Sequence, residues 1–168
     1  MAYNSVIIKS YVHIVNEYEA VAAITPGDLV EITSAGKVQK HSGAGKTAAA
    51  AFAIEDALQG KGLGVEDAYA AGDRVRVWNA IPGEEVYARL ADEENVAIGD
   101  FVESNGYGQV RKVVRSAESW ESANEGEGTS IFDKHVVGQV LAAVDTTSLS
   151  TDESEARSTE QYVRIRII

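Results

Sequence analysis

The sequence predicts an all-β domain with little helix. Three observations carry this. Arg74-Val75-Arg76-Val77-Trp78 and Val163-Arg164-Ile165-Arg166-Ile167 alternate polar and apolar residues, which a half-buried strand requires because successive side chains point to opposite faces. Short apolar runs are separated by Gly-bearing turns along the chain, the pattern of a barrel or sandwich. A Gly-Asp pair recurs at Gly27-Asp28, Gly72-Asp73 and Gly99-Asp100, each time just ahead of an apolar strand-like run.

Residues 1–20 stand apart. Val6, Ile7, Ile8, Tyr11, Val12, Ile14, Val15 and Tyr18 are mixed with Lys9, Ser10, His13 and Asn16. β-Branched and aromatic residues favour extended structure. The segment reads either as a first strand of the main sheet or as an extended arm that packs on a neighbouring subunit, since an apolar terminal segment needs cover. Residues 21–168 are expected to form a single β domain.

Within that domain Ile24-Thr25-Pro26-Gly27-Asp28 is a turn, because Pro presets φ and Gly accepts positive φ beside it. Leu29–Ile32 is then a strand, Ser34–Lys37 a hairpin turn, and Val38–Lys40 the return. The phrases PGDLVEITSAGKVQK and IGDFVESNGYGQVRK match each other in order: Gly-Asp, an apolar pair, Glu, a Gly-bearing turn, then Val-x-Lys. This spacing is too irregular for a solenoid. Ala49–Ile54 is a compact apolar run, followed by a Gly-rich crossing at 59–64. A helical turn is expected near Asp67–Ala71, stopped by Gly72. Ile81-Pro82-Gly83-Glu84 is a further turn, and Val86, Ala88 and Leu90 should share one face of the next strand. Val110–Val114 and Val136–Val144 complete the strands before the last one. Ser116–Ser130 and Asp145–Glu160 are expected to be acidic loops, the first carrying Trp120, whose large ring in a polar loop must pack back or meet a partner.

Charge and composition narrow the function. The formal net charge is -11. Nucleic-acid duplexes and anionic membranes are recognised by clustered Lys and Arg, so neither is an expected partner. The chain has no cysteine, which removes disulfides and thiolate chemistry. No stretch approaches the roughly 20 apolar residues of a membrane-spanning helix.

Catalytic patterns are weak. Gly45-Lys46-Thr47 carries the ending of a phosphate-binding loop, but the glycine that pattern needs five residues earlier is Lys40. Val38–His41, ahead of it, is too polar for a buried strand, and Ala48–Ile54, after it, is too short for the long helix that would face the phosphates. His13, His41 and His135 have no ligand spacing, and the acidic clusters lack the alternation and central Gly of a calcium loop. No serine sits in a nucleophile elbow. No catalytic, cofactor-binding or metal residues are therefore expected, and a solvated acidic surface is the reading of the many carboxylates.

The central section resembles the head decoration (cement) proteins of tailed bacteriophages. The residues that carry the resemblance are Pro26–Glu31, Phe52–Asp56 with Gln59–Gly62, Asp67–Val75, Ile98–Glu103, Val137–Asp145 and Val163–Arg166. The resemblance implies a compact β-barrel- or β-sandwich-like domain of β-tulip type. It implies a non-enzymatic homotrimer on the outer surface of the virion capsid, bridging major capsid proteins and stabilising the expanded head, without cofactor. On that reading the N-terminal arm is the expected capsid or subunit contact, through Tyr3, Val6, Ile7, Ile8, Tyr11, Val12 and Ile14. An alternative is a carbohydrate- or surface-binding β-sandwich module, which would need a concave aromatic platform. A β-barrel hydrolase ranks last, for want of a nucleophile motif.

Overall fold

The computed structural model describes residues 5–11, 14–56, 64–113, 136–147 and 162–168. Among these the regular structure is all β, and no residue is helical. The strands are β1 (Ile7–Lys9), β2 (Val15–Glu19), β3 (Val30–Ile32), β4 (Val38–Lys40), β5 (Ala51–Ala53), β6 (Arg74–Asn79), β7 (Glu85–Arg89), β8 (Asn95–Val96), β9 (Phe101–Ser104), β10 (Val110–Lys112), β11 (Gly138–Val140), β12 (Val144–Asp145) and β13 (Tyr162–Ile167).

Six strands form one antiparallel sheet in the order β1-β7-β13-β11-β9-β10. Its longest pairing joins β13 to β7, from Tyr162 opposite Arg89 to Arg166 opposite Glu85. The sheet curls until Val110 of β10 meets Leu90, just past β7, in a single parallel bridge. One bridge does not zip two strands together, so the sheet remains open and the fold is sandwich-like rather than a closed barrel. The companion layers are a three-stranded sheet in the order β2-β6-β5, the β3-β4 hairpin and the β8-β12 pair.

The three-stranded sheet is buried on both faces at its centre. Phe52 and Trp78 point into the main core with Leu29, Val86, Leu90, Val102, Val163 and Ile165. Their neighbours Ala51, Ala53, Val75 and Val77 point into a second core with Ile24, Val30, Val38 and Tyr69. Burying side chains of this size contributes about 1.5–3 kcal/mol each. Val75 and Val77 face a core as the alternation requires. Arg74 is exposed on the opposite face, and Arg76 is half-buried, its Nη1 donating to the Glu55 carbonyl at 3.2 Å. Trp78, two residues on, shares that face but is fully buried. The face therefore passes from solvent to core along one strand.

Two expected elements differ from those observed. The run Val136–Val144 is not one strand: β11 ends at Val140, a bend follows, and Val144 pairs instead with Val96 of β8. The Leu141 amide still donates to Arg164, so the chain leaves the six-stranded sheet only after that bond. Residues 67–71 do not form a helical turn. Tyr69 bridges Ile24 in both directions through backbone hydrogen bonds, and its hydroxyl donates to the Ile54 carbonyl at 2.7 Å. A large aromatic with a satisfied hydroxyl is stabilised more by that buried slot than by one exposed helical turn. The expected acidic loops at 116–130 and 145–160 lie outside the described residues, apart from Asp145–Thr147, as do Trp120 and most of the Gly-rich crossing.

The recurring Gly-Asp pair is one physical device used repeatedly. Thr25–Asp28, Ala70–Asp73 and Ala97–Asp100 are the same turn, and Ile81–Glu84 is a fourth copy with Glu in place of Asp. In each, the fourth residue's amide donates to the first residue's carbonyl, at 3.0–3.1 Å. The fourth residue's carboxylate accepts the first residue's amide, at 2.8–2.9 Å. The third residue is Gly with φ between +85° and +94°. Positive φ at that position alone defines a type II turn, in which a side chain on the third residue is strained. The four turns lead into β3, β6, β7 and β9.

Candidate contact surface at the N-terminal strand

The structure brings part of the expected N-terminal contact set beside the turn between β6 and β7. β1 pairs with β7, and β2 pairs with β6 from Val15 opposite Trp78 to Glu19 opposite Arg74. Between the two strands, Ser10, Tyr11 and Ile14 hydrogen-bond to Asn79 and Glu84 at the β6–β7 turn. Val6 is fully buried in the main core, and its carbonyl accepts the Tyr87 amide. Its own amide donates to Glu55 Oε2 at 3.0 Å. Ile7 and Ile8 are half-buried. Tyr11 and Ile14 are exposed, at 63% and 47% of their surfaces. Tyr3 and Val12 lie outside the described residues. Of the seven, then, Tyr11 and Ile14 are presented outward, while Val6 serves the interior.

Apolar residues from three segments surround this turn. The Asn79 amide donates to the Ile14 carbonyl, and the Gly83 amide to the Ile167 carbonyl. Ile81 on the turn and Ile168 beyond β13 are exposed, at 37% and 54%. The Tyr11 ring runs close over Gly83, within 3.5 Å of where a Cβ on that residue would sit. Lys9 Nζ lies 5.0 Å from the centroid of the Tyr11 ring, a cation–π contact worth about 0.5–1 kcal/mol at an exposed site.

A buried carboxylate holds the arrangement. Glu84 is fully buried; its Oε2 accepts the Ile81 amide at 2.9 Å, and its Oε1 accepts the Ser10 hydroxyl and the Tyr11 amide at 2.7 and 2.6 Å. Charge-assisted bonds of this length are the strong ones. Ser10 and Glu84 carry no sequence signal as site residues. Their pairing spans 74 positions, and no local pattern encodes it.

Beside this turn, the outer face of the main sheet carries an ion-pair ladder. Glu85 lies beneath Arg164 and Arg166, with Arg164 Nε and Arg166 Nη2 at 3.1 and 3.4 Å from its oxygens. The Arg164 hydrogen bond is the larger cause holding the Glu85 carboxyl below the usual range, and Arg166 adds to it. The Arg side chains are about half exposed, so the ladder gives register more than stability.

The sequence's chemical motifs resolve into structural contacts. His41 and Ser104 are buried, with His41 Nδ1 2.8 Å from Ser104 Oγ and Nε2 3.2 Å from the Thr47 carbonyl. A carbonyl needs a donor, so in the neutral ring Nε2 carries the hydrogen and Nδ1 accepts from Ser104. Ser104 Oγ also accepts the Gly106 amide at 3.1 Å. The pair ties the 41–47 loop to the β9–β10 turn. Gly43–Lys46 is a closed turn, joined to Ser104 through the Gly45 amide and followed by the three-residue strand β5. It offers no helix terminus to a phosphate. Among the described residues no group of three or more His, Cys, Asp or Glu could hold a metal ion. No described helix is long and apolar enough to cross a membrane.

Comparison with known proteins adds no family to this picture: no family model matches the chain, and no curated protein matches it.

Proposed function

We propose that this chain is a non-enzymatic structural protein of a phage virion. On this reading it binds the outside of the capsid as a homotrimer and stabilises the expanded head by bridging major capsid proteins. The observation that carries the proposal is the outward presentation of Tyr11 and Ile14 beside Ile81, on a segment pinned by a buried carboxylate to the β6–β7 turn of an all-β domain. Exposed apolar side chains grouped around a hydrogen-bonded turn suit a protein interface. The family resemblance of the central section supports the same reading, as does the acidic composition, which suits a face turned away from packaged DNA. Repetition on a shell would supply avidity to modest single contacts. The carbohydrate-binding alternative draws less support. The exposed aromatics among the described residues are Tyr11 and Tyr107, which sit on different turns.

The test combines native mass with shell binding. Light scattering should give three times the chain mass, and the chain should co-sediment with expanded heads assembled from its own phage's major capsid protein. Tyr11→Ser with Ile14→Ser should weaken that binding at least tenfold without unfolding the domain. Full binding by the double variant removes this segment as the contact.

A further inference from the structure

Three of the four type II turns end in Asp, and the fourth ends in Glu84. The Asp side chains at 28, 73 and 100 already reach the amide of the turn's first residue, at 2.8–2.9 Å, so closing the turn does not require Glu. Glu84 makes that same bond with Oε2, at 2.9 Å. The extra methylene carries Oε1 past the turn to the Ser10 hydroxyl and the Tyr11 amide, in a chain segment 73–74 positions away. The carboxylate is fully buried, so its hydrogen bonds substitute for lost hydration and each matters more than it would in water.

We propose that Glu84 is the positioning residue of the N-terminal contact segment. One oxygen closes the 81–84 turn, and the other fixes Ser10 and Tyr11 so that the Tyr11 ring is presented over Gly83. Fixing the segment beforehand removes an ordering cost from partner binding, which is where pre-organised interfaces gain affinity. The role in binding rests on the capsid reading; the anchoring of the segment does not.

Glu84→Asp tests both parts, because the other three turns show that Asp keeps the turn closed. Amide hydrogen exchange followed by NMR should show the Tyr11 amide exchanging about tenfold or more faster, the loss expected for one bond to a buried charge. The Ile81 amide should stay protected. Binding to expanded heads should weaken alongside. Should the Ile81 amide also lose protection, the turn itself has opened. Ser10→Ala, which leaves the turn untouched, then decides: it should raise Tyr11 exchange in the same direction by a smaller factor. Unchanged Tyr11 exchange in both variants overturns the anchoring. Faster Tyr11 exchange with undiminished shell binding overturns the positioning role. If the wild-type chain binds no shell, the capsid reading fails, and Tyr11 exchange still decides whether Glu84 holds the segment.

Discussion

Asp28 and Asp100 close identical turns, yet their surroundings push them in opposite directions. Asp28 is fully buried, with Arg89 Nη1 at 3.1 Å, Lys40 Nζ at 3.2 Å and the Thr25 amide at 2.8 Å. Burial raises its carboxyl above the ordinary value, outweighing the pull of Arg89 and Lys40. Asp100 is partly exposed, with Lys112 Nζ at 2.7 Å. The Lys112 hydrogen bond, followed by that of the Ala97 amide, holds its carboxyl below the ordinary value. The same local chemistry is thus a structural knot in one place and a solvated cap in the other. The turn is a property of four residues; its energetic weight is a property of what packs on it.

The largest expected effect that would sharpen this comparison comes from the glycines. A Cβ on Gly27 would sit 2.6 Å from the Tyr162 ring and 3.2 Å from the Tyr87 carbonyl, whereas one on Gly99 meets nothing within 4 Å. Tyr162 cannot swing away freely, because its hydroxyl donates within a buried site shared with the Pro26 and Val65 carbonyls at 2.9 and 2.8 Å. Both substitutions by Ala carry the left-handed strain of about 1–2 kcal/mol, and Gly27→Ala adds an overpacking cost of about 1–3 kcal/mol. Urea unfolding of the two variants should separate them by at least about 1 kcal/mol. Equal losses would mean that the two turns sit in equivalent surroundings.

Next in size are the carboxylates. Asp28→Ala removes a buried carboxylate from two partly exposed cations and from the Thr25 amide, and should cost about 1.5–3 kcal/mol. Asp100→Ala removes a turn cap and an exposed pair and should cost about 1 kcal/mol. Denaturant midpoints at pH 7 measure both, and a ratio near one would break the comparison.

The pH dependence of the two carboxylates has opposite signs. A carboxyl whose folded pKa is lowered, such as Asp100 or Glu85, stabilises the fold above its unfolded pKa, and that stability is lost as pH falls through the folded value. Asp28, with its raised folded pKa, binds its proton more tightly in the folded state, so its contribution declines as pH rises through that value. Between about pH 3 and pH 6, on either side of the ordinary carboxylate range, Asp100→Asn should therefore make the acid loss of stability shallower. Asp28→Asn should make it steeper. Unfolding free energies measured across that range check both slopes, and slopes changing in the same direction would refute the assignment.

The smallest effect on stability is expected where the effect on binding is largest. Tyr11→Ser alters an exposed side chain and should shift stability by no more than about 0.5 kcal/mol, apart from the lost Lys9 contact. Truncating residues 2–15 is a poorer test, because it also removes Val6 from the core and β1 from the edge of β7.

Much of the fold is legible in the chain. The alternation of β6 and β13, the shared face of Val86, Ala88 and Leu90, and the turns around Gly27, Gly36, Gly83 and Gly99 all arise from neighbours within four residues. The break between β11 and β12 is not legible, because Val140–Val144 is apolar throughout and only pairing with β8 across the molecule gives Val144 a different partner. Nor is the extended state of Tyr69, which depends on Ile24 and Ile54. At the candidate contact surface the sequence points to Tyr11 and Ile14, and both face outward. It points equally to Val6, because apolar character alone cannot distinguish a residue that meets a partner from one that fills its own core.

By itself, then, the sequence determined the all-β class, the strand faces and the repeated turn, because these arise from side-chain alternation and from hydrogen bonds between residues i and i+3. Only the tertiary structure decided which copy of the turn is buried, which face of β6 becomes core at Trp78, and which distant segment Glu84 holds. Burial and hydrogen bonds between residues some 60 to 75 positions apart set those outcomes. They exist only once the sheets have been brought together.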